Sequence, residues 1–420
     1  MIRMSPPKIV VGLALLLLIV VPPFLNMGFQ YALTNALIAA LFAMAFNLLM
    51  GQAGMLSFGH SAYFGVGAFA VLHAMRLVEY GDWAVPTVLL PLFGGLAGLL
   101  GGIVAGYFAT MRTGVYFSLV TLALAELLHS LAPHWEGVFG GEAGLSSMRM
   151  PSLGLTFGSS IEVYYLTLVW TVVCIALLYA YTRTPFGRLT LALRDNQQRV
   201  RYLGYNAHGT KIMVFATSAM LAGVAGGLLA MSNETANYSI FSTHMSAQAV
   251  LHTFVGGSTV FFGPIIGAGI FSLFGYIVAD ISRSWLLYQG VIFVLVMLYA
   301  PTGIGGLIDW HYRQRAALPW KALLRPYGGM LAGALLMGTA LVFCVQSIEH
   351  VLADVYQAQV ERTGVWADYG LFGVSWDPLN PLTWVTPLVL GLPGLLLIRR
   401  AAGRIKTIID DNDISKVGAS

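Results

Sequence analysis

Apolar runs close to membrane-spanning length recur along the whole 420-residue chain. A hydrocarbon core about 30 Å thick takes roughly 20 apolar residues in helical form. Twelve segments approach that length: 8–25, 29–50, 57–78, 85–109, 114–132, 162–181, 212–231, 245–261, 263–281, 285–300, 327–345 and 383–398. The eighth to tenth are short and interrupted by glycine. Only 10% of residues are charged and 57% are hydrophobic, whereas soluble chains carry about 25% charged residues. Lipid leaves no solvent partner for backbone N–H and C=O groups, so helices that satisfy them internally are the available solution. The expected fold class is an all-α polytopic membrane protein with about twelve transmembrane helices, and the lipid bilayer is its first partner. The 48 glycines suit helices that approach one another closely.

Basic residues test the order of crossings. With the N-terminus inside and twelve spans, the cytoplasmic segments hold Arg3, Lys8, Arg112, Arg183, Arg188, Arg194, Arg199, Arg201, Lys211, Arg313, Arg315, Lys321, Arg325, Arg399, Arg400, Arg404, Lys406 and Lys416. That is 18 of the 22 Lys and Arg residues. Arg76, Arg149, Arg283 and Arg362 fall outside. Cytoplasmic loops are rich in Lys and Arg, so both the N and C termini are expected in the cytoplasm. The first segment follows Arg3 and Lys8 as a signal peptide would, but Pro22-Pro23-Phe24 follows it in place of an A-x-A-like cleavage site. A retained helix is the expectation. The net charge of +4 does not point to nucleic acid, because the basic residues lie in short segments between apolar runs.

Three stretches are long enough to work outside the bilayer. Pro133–Ile161 is external, Thr182–Lys211 is internal and strongly basic, and Gln346–Leu382 is external and acidic. In the last, Ile348, Val351, Leu352 and Val355 have the spacing of one apolar helical face, which suggests a helix on the outer surface or against the protein.

Catalytic signatures are missing. Lys406-Thr407 is the sole Lys followed by Ser or Thr, and no glycine directly precedes it, so there is no P-loop. Gly59-His60-Ser61-Ala62-Tyr63 ends in Tyr and is not a nucleophile elbow. The nine histidines show neither H-E-x-x-H nor a zinc-binding spacing. Cys174 and Cys344 lie inside apolar runs, as small buried residues would. No catalytic residue, metal ligand or resident cofactor is expected, and the chain is not expected to be an enzyme. Asn233-Glu234-Thr235 and Asn237-Tyr238-Ser239 are formal glycosylation sequons, which chance explains in a chain with no other eukaryotic mark.

Polar residues within spans are the remaining clue, because burying them in hydrocarbon is costly. Glu126 and His129 share one helical face. They either border a substrate path or subunit contact, or make structural hydrogen bonds to a neighbouring helix. Asn35, Asn47, Gln52 and His60 allow the same two readings. Two glycine-rich joins, Gly51–His60 and Gly256–Pro264, link apolar runs without an intervening charge. Each suits either a broken or re-entrant helix, tolerated where protein or water satisfies the freed backbone, or close packing of small residues. Spans two to five and seven to ten would enter the membrane from opposite sides, so an inverted repeat is expected.

The internal stretch from Thr184 to Gly204 is the most informative. Pro185 and Gly187 break the preceding span and Gly204 suits a helix cap. A short helix is expected between them, with Leu189, Ala192, Leu193 and Val200 on one side and arginines on the other. Such a helix would fit a cleft on a partner ATPase, or would be a solvated basic loop that sets topology.

The run Gly187-Arg188 through Ala192, Arg194, Asp195 and Asn196 resembles the G-R-x-x-x-A-x-R-D-N motif of the permeases of branched-chain amino acid ABC importers. Gly51-Gln52-Ala53-Gly54-Met55-Leu56-Ser57-Phe58-Gly59-His60 resembles that family's G-x-x-G-x-L-S-x-G-H. Gly114-Val115-Tyr116-Phe117 with Thr121-Leu122-Ala123 through Glu126, Gly140-Gly141-Glu142-Ala143-Gly144-Leu145, Gly223-Val224-Ala225-Gly226, Gly256-Gly257 through Gly267, and Ala300-Pro301-Thr302-Gly303-Ile304 follow in the family's order. The resemblance covers roughly residues 29–308. It implies a permease core over 1–310, with an inverted repeat of the ABC importer type and a coupling helix near 187–203, in the bacterial inner membrane. It also implies a second homologous permease, two cytoplasmic ATPases carrying ATP and Mg, and a periplasmic substrate-binding protein. Carried over by position, Gly187, Arg188, Ala192, Arg194, Asp195 and Asn196 would couple to the ATPase. Candidate pathway residues are Glu126, His129, Gln52, His60 and Asn47. Residues 311–420, with two further spans and an external loop, depart from the family pattern. Branched-chain amino acids lead as substrate, with urea, short amides and other amino acids as alternatives. From a different class, a stand-alone ion- or proton-coupled transporter or channel would use Glu126 and His129.

Overall fold

A computed structural model of the chain describes residues 8–315 and 318–417; Arg3 of the expected cytoplasmic set lies outside them. The described chain is mostly helical. In order, the helices are α1 (Lys8–Val20), α2 (Met27–Asn47), α3 (Ser61–Glu79), α4 (Pro91–Ala109), α5 (Val115–Leu131), the single turn α6 (Glu136–Phe139), α7 (Ser160–Arg183), α8 (Pro185–Asp195), α9 (Gln197–Tyr202), α10 (Ala207–Asn233), α11 (Thr243–Gly256), α12 (Gly263–Ala279), α13 (Trp285–Tyr299), α14 (Gly303–Gln314), α15 (Trp320–Val351), α16 (Asp354–Thr363) and α17 (Pro381–Val417). A two-stranded antiparallel pairing of β1 (Leu145–Ser146) with β2 (Thr235–Ala236), distant in sequence, and a hairpin of β3 (Tyr369–Leu371) with β4 (Val374–Trp376) complete the fold.

Among the described residues, eight helices are long and apolar enough to cross a bilayer, or nine if the α13–α14 pair, bent by 43°, is one span. This is fewer than the twelve expected. The other expected segments fall on shorter helices: 13 residues in α1, 14 in α11, 17 in α12 and 15 in α13.

The chain divides into two compact units. The first runs to Ile277 and takes in Gln289–Asp309; the second comprises Val278–Tyr288 and resumes at Trp310. In the first, α2, α3 and α10 form the buried centre. α10 meets α3 and α4 on glycine. A Cβ at Gly226 of α10 would stand 1.8 Å from the Phe64 carbonyl oxygen of α3, and one at Gly223 would stand 2.2 Å from the Gly94 oxygen of α4. Backbones at this separation exclude any side chain. Dispersion and packing, which hold helices together in lipid, are strongest where they approach so closely.

Segments between helices gather at two ends. At one, Thr110 Oγ1 lies 3.2 Å from His208 Nδ1, which joins the α4–α5 turn to the start of α10. At the other, β1 pairs with β2, Arg76 Nε donates to the Ser146 oxygen, and Thr87 Oγ1 donates to the Met150 oxygen. Arg149 finishes that end. Its side chain donates to the Met231, Ser232 and Phe157 carbonyls and pairs with Glu234 at 3.3 Å. A cation on the last carbonyls of α10 is favoured by the helix dipole, typically by about 0.3–1 kcal/mol. Arg112, Arg183, Arg188, Arg194, Arg199, Arg201 and Lys211 belong to the first, basic end.

In the second unit, α15 and α17 pack against each other through Gly333 and Gly394, where a Cβ on either would lie within 3 Å of the other's carbonyl oxygen. Phe343 meets Trp376 of the β3–β4 hairpin at 4.7 Å, and Ser284 donates to Glu349 at 2.9 Å. The apolar face expected at 348–355 does not form. α15 ends at Val351, α16 begins at Asp354, and Leu352 and Val355 are 67% and 82% exposed. Ala353, extended at φ −64° and ψ 132°, breaks the register between the two helices.

Gly226→Ala is expected to lower the unfolding temperature in detergent, because overpacking a tight contact costs about 1–3 kcal/mol. Gly290→Ala, at a helical position with no neighbouring atom within 4 Å, is expected to leave it unchanged or slightly raised. Equal unfolding temperatures for the two variants would contradict the crossing described.

Candidate functional site

Helix α2 does not run straight into a loop. It widens into a π-helical turn over Leu48–Gln52, turns at Gly54 with φ +68°, and continues in extended form to α3. The freed backbone is answered by protein. Met55 N donates to the Leu49 oxygen at 2.9 Å, Ser118 Oγ of α5 donates to the Leu56 oxygen at 2.6 Å, and Phe58 N donates to Thr121 Oγ1 at 3.2 Å. Gly59 lies against the α5 backbone, where a Cβ would stand 1.8 Å from the Thr121 oxygen. Both readings open for the first glycine-rich join are met: the helix breaks, and Gly51 and Gly59 pack closely on neighbouring backbone.

A second inward segment had no motif in the sequence. After β2, the 3-10 turn Tyr238–Phe241 carries Phe241 into the core, fully buried, and α11 starts at Thr243. Asn237 Oδ1 accepts from Ser239 N and Oγ, so this sequon asparagine is a local cap. The two inward segments meet. Ser61 N donates to Ser246 Oγ at 2.9 Å, Ser246 Oγ donates to Ser61 Oγ at 2.8 Å, and Ser61 Oγ donates to the Phe241 oxygen at 2.9 Å. The available signal was two serines at the starts of apolar helices.

Beside this contact His60 is fully buried. Its Nε2 lies 2.9 Å from Ser218 Oγ, midway along α10, which in turn donates to the Ala45 oxygen. Phe42, Phe46, Tyr63 and Phe215 surround the imidazole with ring centroids 5.8–6.5 Å away. Around the same break, Asn47 Oδ1, Gln52 Oε1, Ser57 Oγ, His60 Nδ1 and Tyr63 Oη are buried without a hydrogen-bond partner among the described residues. Each such atom costs roughly 1–3 kcal/mol.

At the basic end, the expected single helix is two. Thr184 caps α8 by accepting from Gly187 N at 3.0 Å, and Pro185 takes the first helical position, where its missing N–H is no loss. Asn196 is extended at φ −159° and ψ 102° and caps α9 by accepting from Arg199 N at 2.9 Å. Its competing side-chain bond is the physical reason for the split. Gly204, at φ +85°, ends α9. Leu193 and Val200 are buried against Ala207 with Leu189 partly buried beside them, as expected, but Ala192 is exposed. Gly187 is a packing residue: a Cβ there would meet the Tyr181 oxygen at 2.2 Å.

Arg194 joins the two regions. Its Nη1 donates to the Gly51 carbonyl oxygen, and its side chain crosses Gly54, where a Cβ would stand 3.0 Å from Arg194 Cγ. Gly51 also sits between Asn47 Oδ1 and the Ser258 carbonyl of the second glycine-rich join. Three segments singled out separately in the sequence therefore converge on Gly51. Arg188 and Asp195 are exposed and make no side-chain bond among the described residues. Glu126 and His129 do not reach Gly51 but border the second inward segment. Glu126 accepts from Thr243 Oγ1, and His129 contacts the Tyr238 ring at 5.5 Å. Among the described residues no group of three His, Cys, Asp or Glu is placed to hold a metal ion.

Comparison with known proteins adds a family. The branched-chain amino acid transport system permease component family matches residues 28–301. The LivM high-affinity branched-chain amino acid transport permease of Salmonella typhimurium is 26% identical over 317 residues, covering 70% of this chain and 73% of that protein. The corresponding LivM of Escherichia coli K12 is 26% identical, covering 69% and 73%. The ribose import permease RbsC of Haemophilus influenzae is 27% identical over 232 residues, covering 53% and 68%. No solved structure gives a significant match.

Arg194→Ala is expected to speed amide exchange over residues 50–58 about tenfold, since a charged donor on a carbonyl is worth about 1.5 kcal/mol at the lower end. Exchange is read by mass spectrometry on the purified chain; an unchanged rate would mean that Arg194 does not hold the break.

Proposed function

The chain belongs to the branched-chain amino acid transport system permease family, and on that premise we propose that it is the transmembrane subunit of an ATP-driven importer. The observation that carries this reading is the Arg194 bond to Gly51, which ties a basic segment between two spans to the break in α2. The basic end faces the cytosol, as the placement of Lys and Arg favours. A partner ATPase engages α8–α9 through the exposed Arg188 and Asp195. Movement of α8 carries Arg194, and with it the Gly51–His60 segment whose far end bonds to Ser246 and Phe241. The unpaired polar atoms around that segment favour its rearrangement.

Residues 1–310 are the permease core and 311–420 an extension; the family match over 28–301 supports this division. Twelve crossings and an inverted repeat fit the two inward segments, which follow α2 and α10 and enter from opposite ends. A second homologous permease, two ATPases holding ATP and Mg, and a periplasmic binding protein complete the importer in the bacterial inner membrane. The substrate is a branched-chain amino acid. α3 and α11 both begin where the inward segments meet, and the positive ends of helices there suit a carboxylate. A self-sufficient transporter working through Glu126 and His129 has less support, because Glu126 is exposed and bonded to Thr243.

In a complex reconstituted with its ATPases and binding protein, Arg194→Ala and Asp195→Asn are expected to abolish leucine-stimulated ATP hydrolysis while membrane insertion is retained. Glu126→Gln is expected to keep it. Ion-driven leucine uptake by this chain alone, lost in Glu126→Gln, would overturn the proposal.

A further inference from the structure

A cavity of about 590 Å³ opens at the basic end between the last turn of α4, the short helix α9 and the first turn of α10. Arg201, His208 and Lys211 line it together with Tyr107, Thr110 and Met111, and no Asp or Glu is among its walls. Lys211 is only 6% exposed. Its ammonium donates to Gln197 Oε1 at 2.7 Å, which leaves further N–H donors with no carboxylate in the cavity to receive them. The Arg201 side chain makes no hydrogen bond or ion pair among the described residues. Two cations converging on one polar cavity repel each other, and an oxyanion between them removes that cost. The first turn of the 27-residue α10 adds the positive end of its dipole.

The chemistry asks for a phosphate or similar oxyanion; the surroundings say what carries it. Leu96, Leu100, Val104 and Met111 of α4 and the turn after it are each more than half exposed, and Tyr107 is half exposed. Spaced at four, eight and eleven residues from Leu96, the first three and Tyr107 form one apolar stripe along α4 that leads to Met111. Tyr107 and Met111 belong both to the stripe and to the cavity wall. A ligand with an anionic head and long apolar tails therefore meets matching surface along its whole length.

We propose that this cavity binds the phosphate of an anionic phospholipid of the cytoplasmic leaflet, with the acyl chains lying on the α4 stripe. The assignment of the leaflet rests on the orientation given above. Because Gln197 and Arg201 are on α9, the lipid headgroup braces the segment that meets the ATPase against α4 and α10. Basic pockets at the ends of spans are suited to such headgroups, and each cation near the surface contributes about 1 kcal/mol, or about fivefold in retention.

The test is native mass spectrometry of the purified chain after exchange into phosphatidylglycerol or phosphatidylcholine. The wild-type chain is expected to retain phosphatidylglycerol in preference to phosphatidylcholine. Arg201→Gln is expected to lower that retention about fivefold, and Lys211→Gln by at least as much. Arg199→Gln, on the same short helix but away from the cavity, is expected to change nothing. Should the buried Lys211 variant fail to fold, the exposed Arg201 variant decides. Equal retention of the two lipids, or retention unaffected by Arg201→Gln, would overturn the proposal. Binding of inorganic phosphate with no retention of phosphatidylglycerol would assign the cavity to a soluble oxyanion and overturn the lipid. The readout uses neither ATPase nor substrate, so its failure leaves the importer reading standing, and loss of coupled ATP hydrolysis with lipid retention intact would do the converse.

Discussion

Backbone amides removed from water must find partners, and the centre of this protein is arranged around that requirement. A helix that breaks inside a bilayer exposes N–H and C=O groups that lipid cannot satisfy. Here α5 supplies Ser118 and Thr121 to the segment after α2, and Ser61 and Ser246 satisfy each other where the two inward segments touch. Hydroxyls of Ser and Thr serve this purpose because they donate and accept while occupying little volume. The glycine crossing of α3, α4 and α10 has the complementary role. It brings backbones close enough that the broken segments are enclosed by protein on every side that matters.

This arrangement separates what holds the molecule together from what is free to change. The α3–α4–α10 crossing is held by backbone-to-backbone approach at Gly67, Gly94, Gly98, Gly223 and Gly226. The segment from Asn47 to Tyr63 has five buried polar atoms without partners among the described residues, and Arg194 holds it at Gly51. A motion of α8 transmitted through that arginine would reach a region where hydrogen bonds to α5, α10 and α11 stand beside polar atoms that have none.

Much of this was legible in the residues. Long apolar runs gave helices wherever they occurred, and the short, glycine-interrupted ones gave short helices, because length and apolarity are direct requirements of the bilayer. The break at Gly51–His60 was visible as glycine without charge. The inward turn at Tyr238–Phe241 was not, since its backbone is satisfied by contacts distant in sequence and its residues read as an ordinary external join. Asn196 splits the basic segment through a side-chain bond that competes with the helix, a local effect hidden under a sound apolar pattern. At 348–355 the periodicity was real, but the chain changes direction at Ala353, so spacing along the sequence did not become one face. Arg194, Asn47 and Ser258 lie far apart in sequence; only the fold places them around one glycine.

The Arg149 contacts at the far end of α10 have a mechanical meaning. A rod of 27 residues is about 40 Å long, and clamping one tip through Arg149 to Phe157 makes that tip a pivot. About 5° of rocking around it sweeps the opposite tip, near Lys211, through about 3 Å, given that length. Sub-ångström adjustments at the clamped end and ångström-scale displacements at the basic end are then the same rotation seen from its two ends.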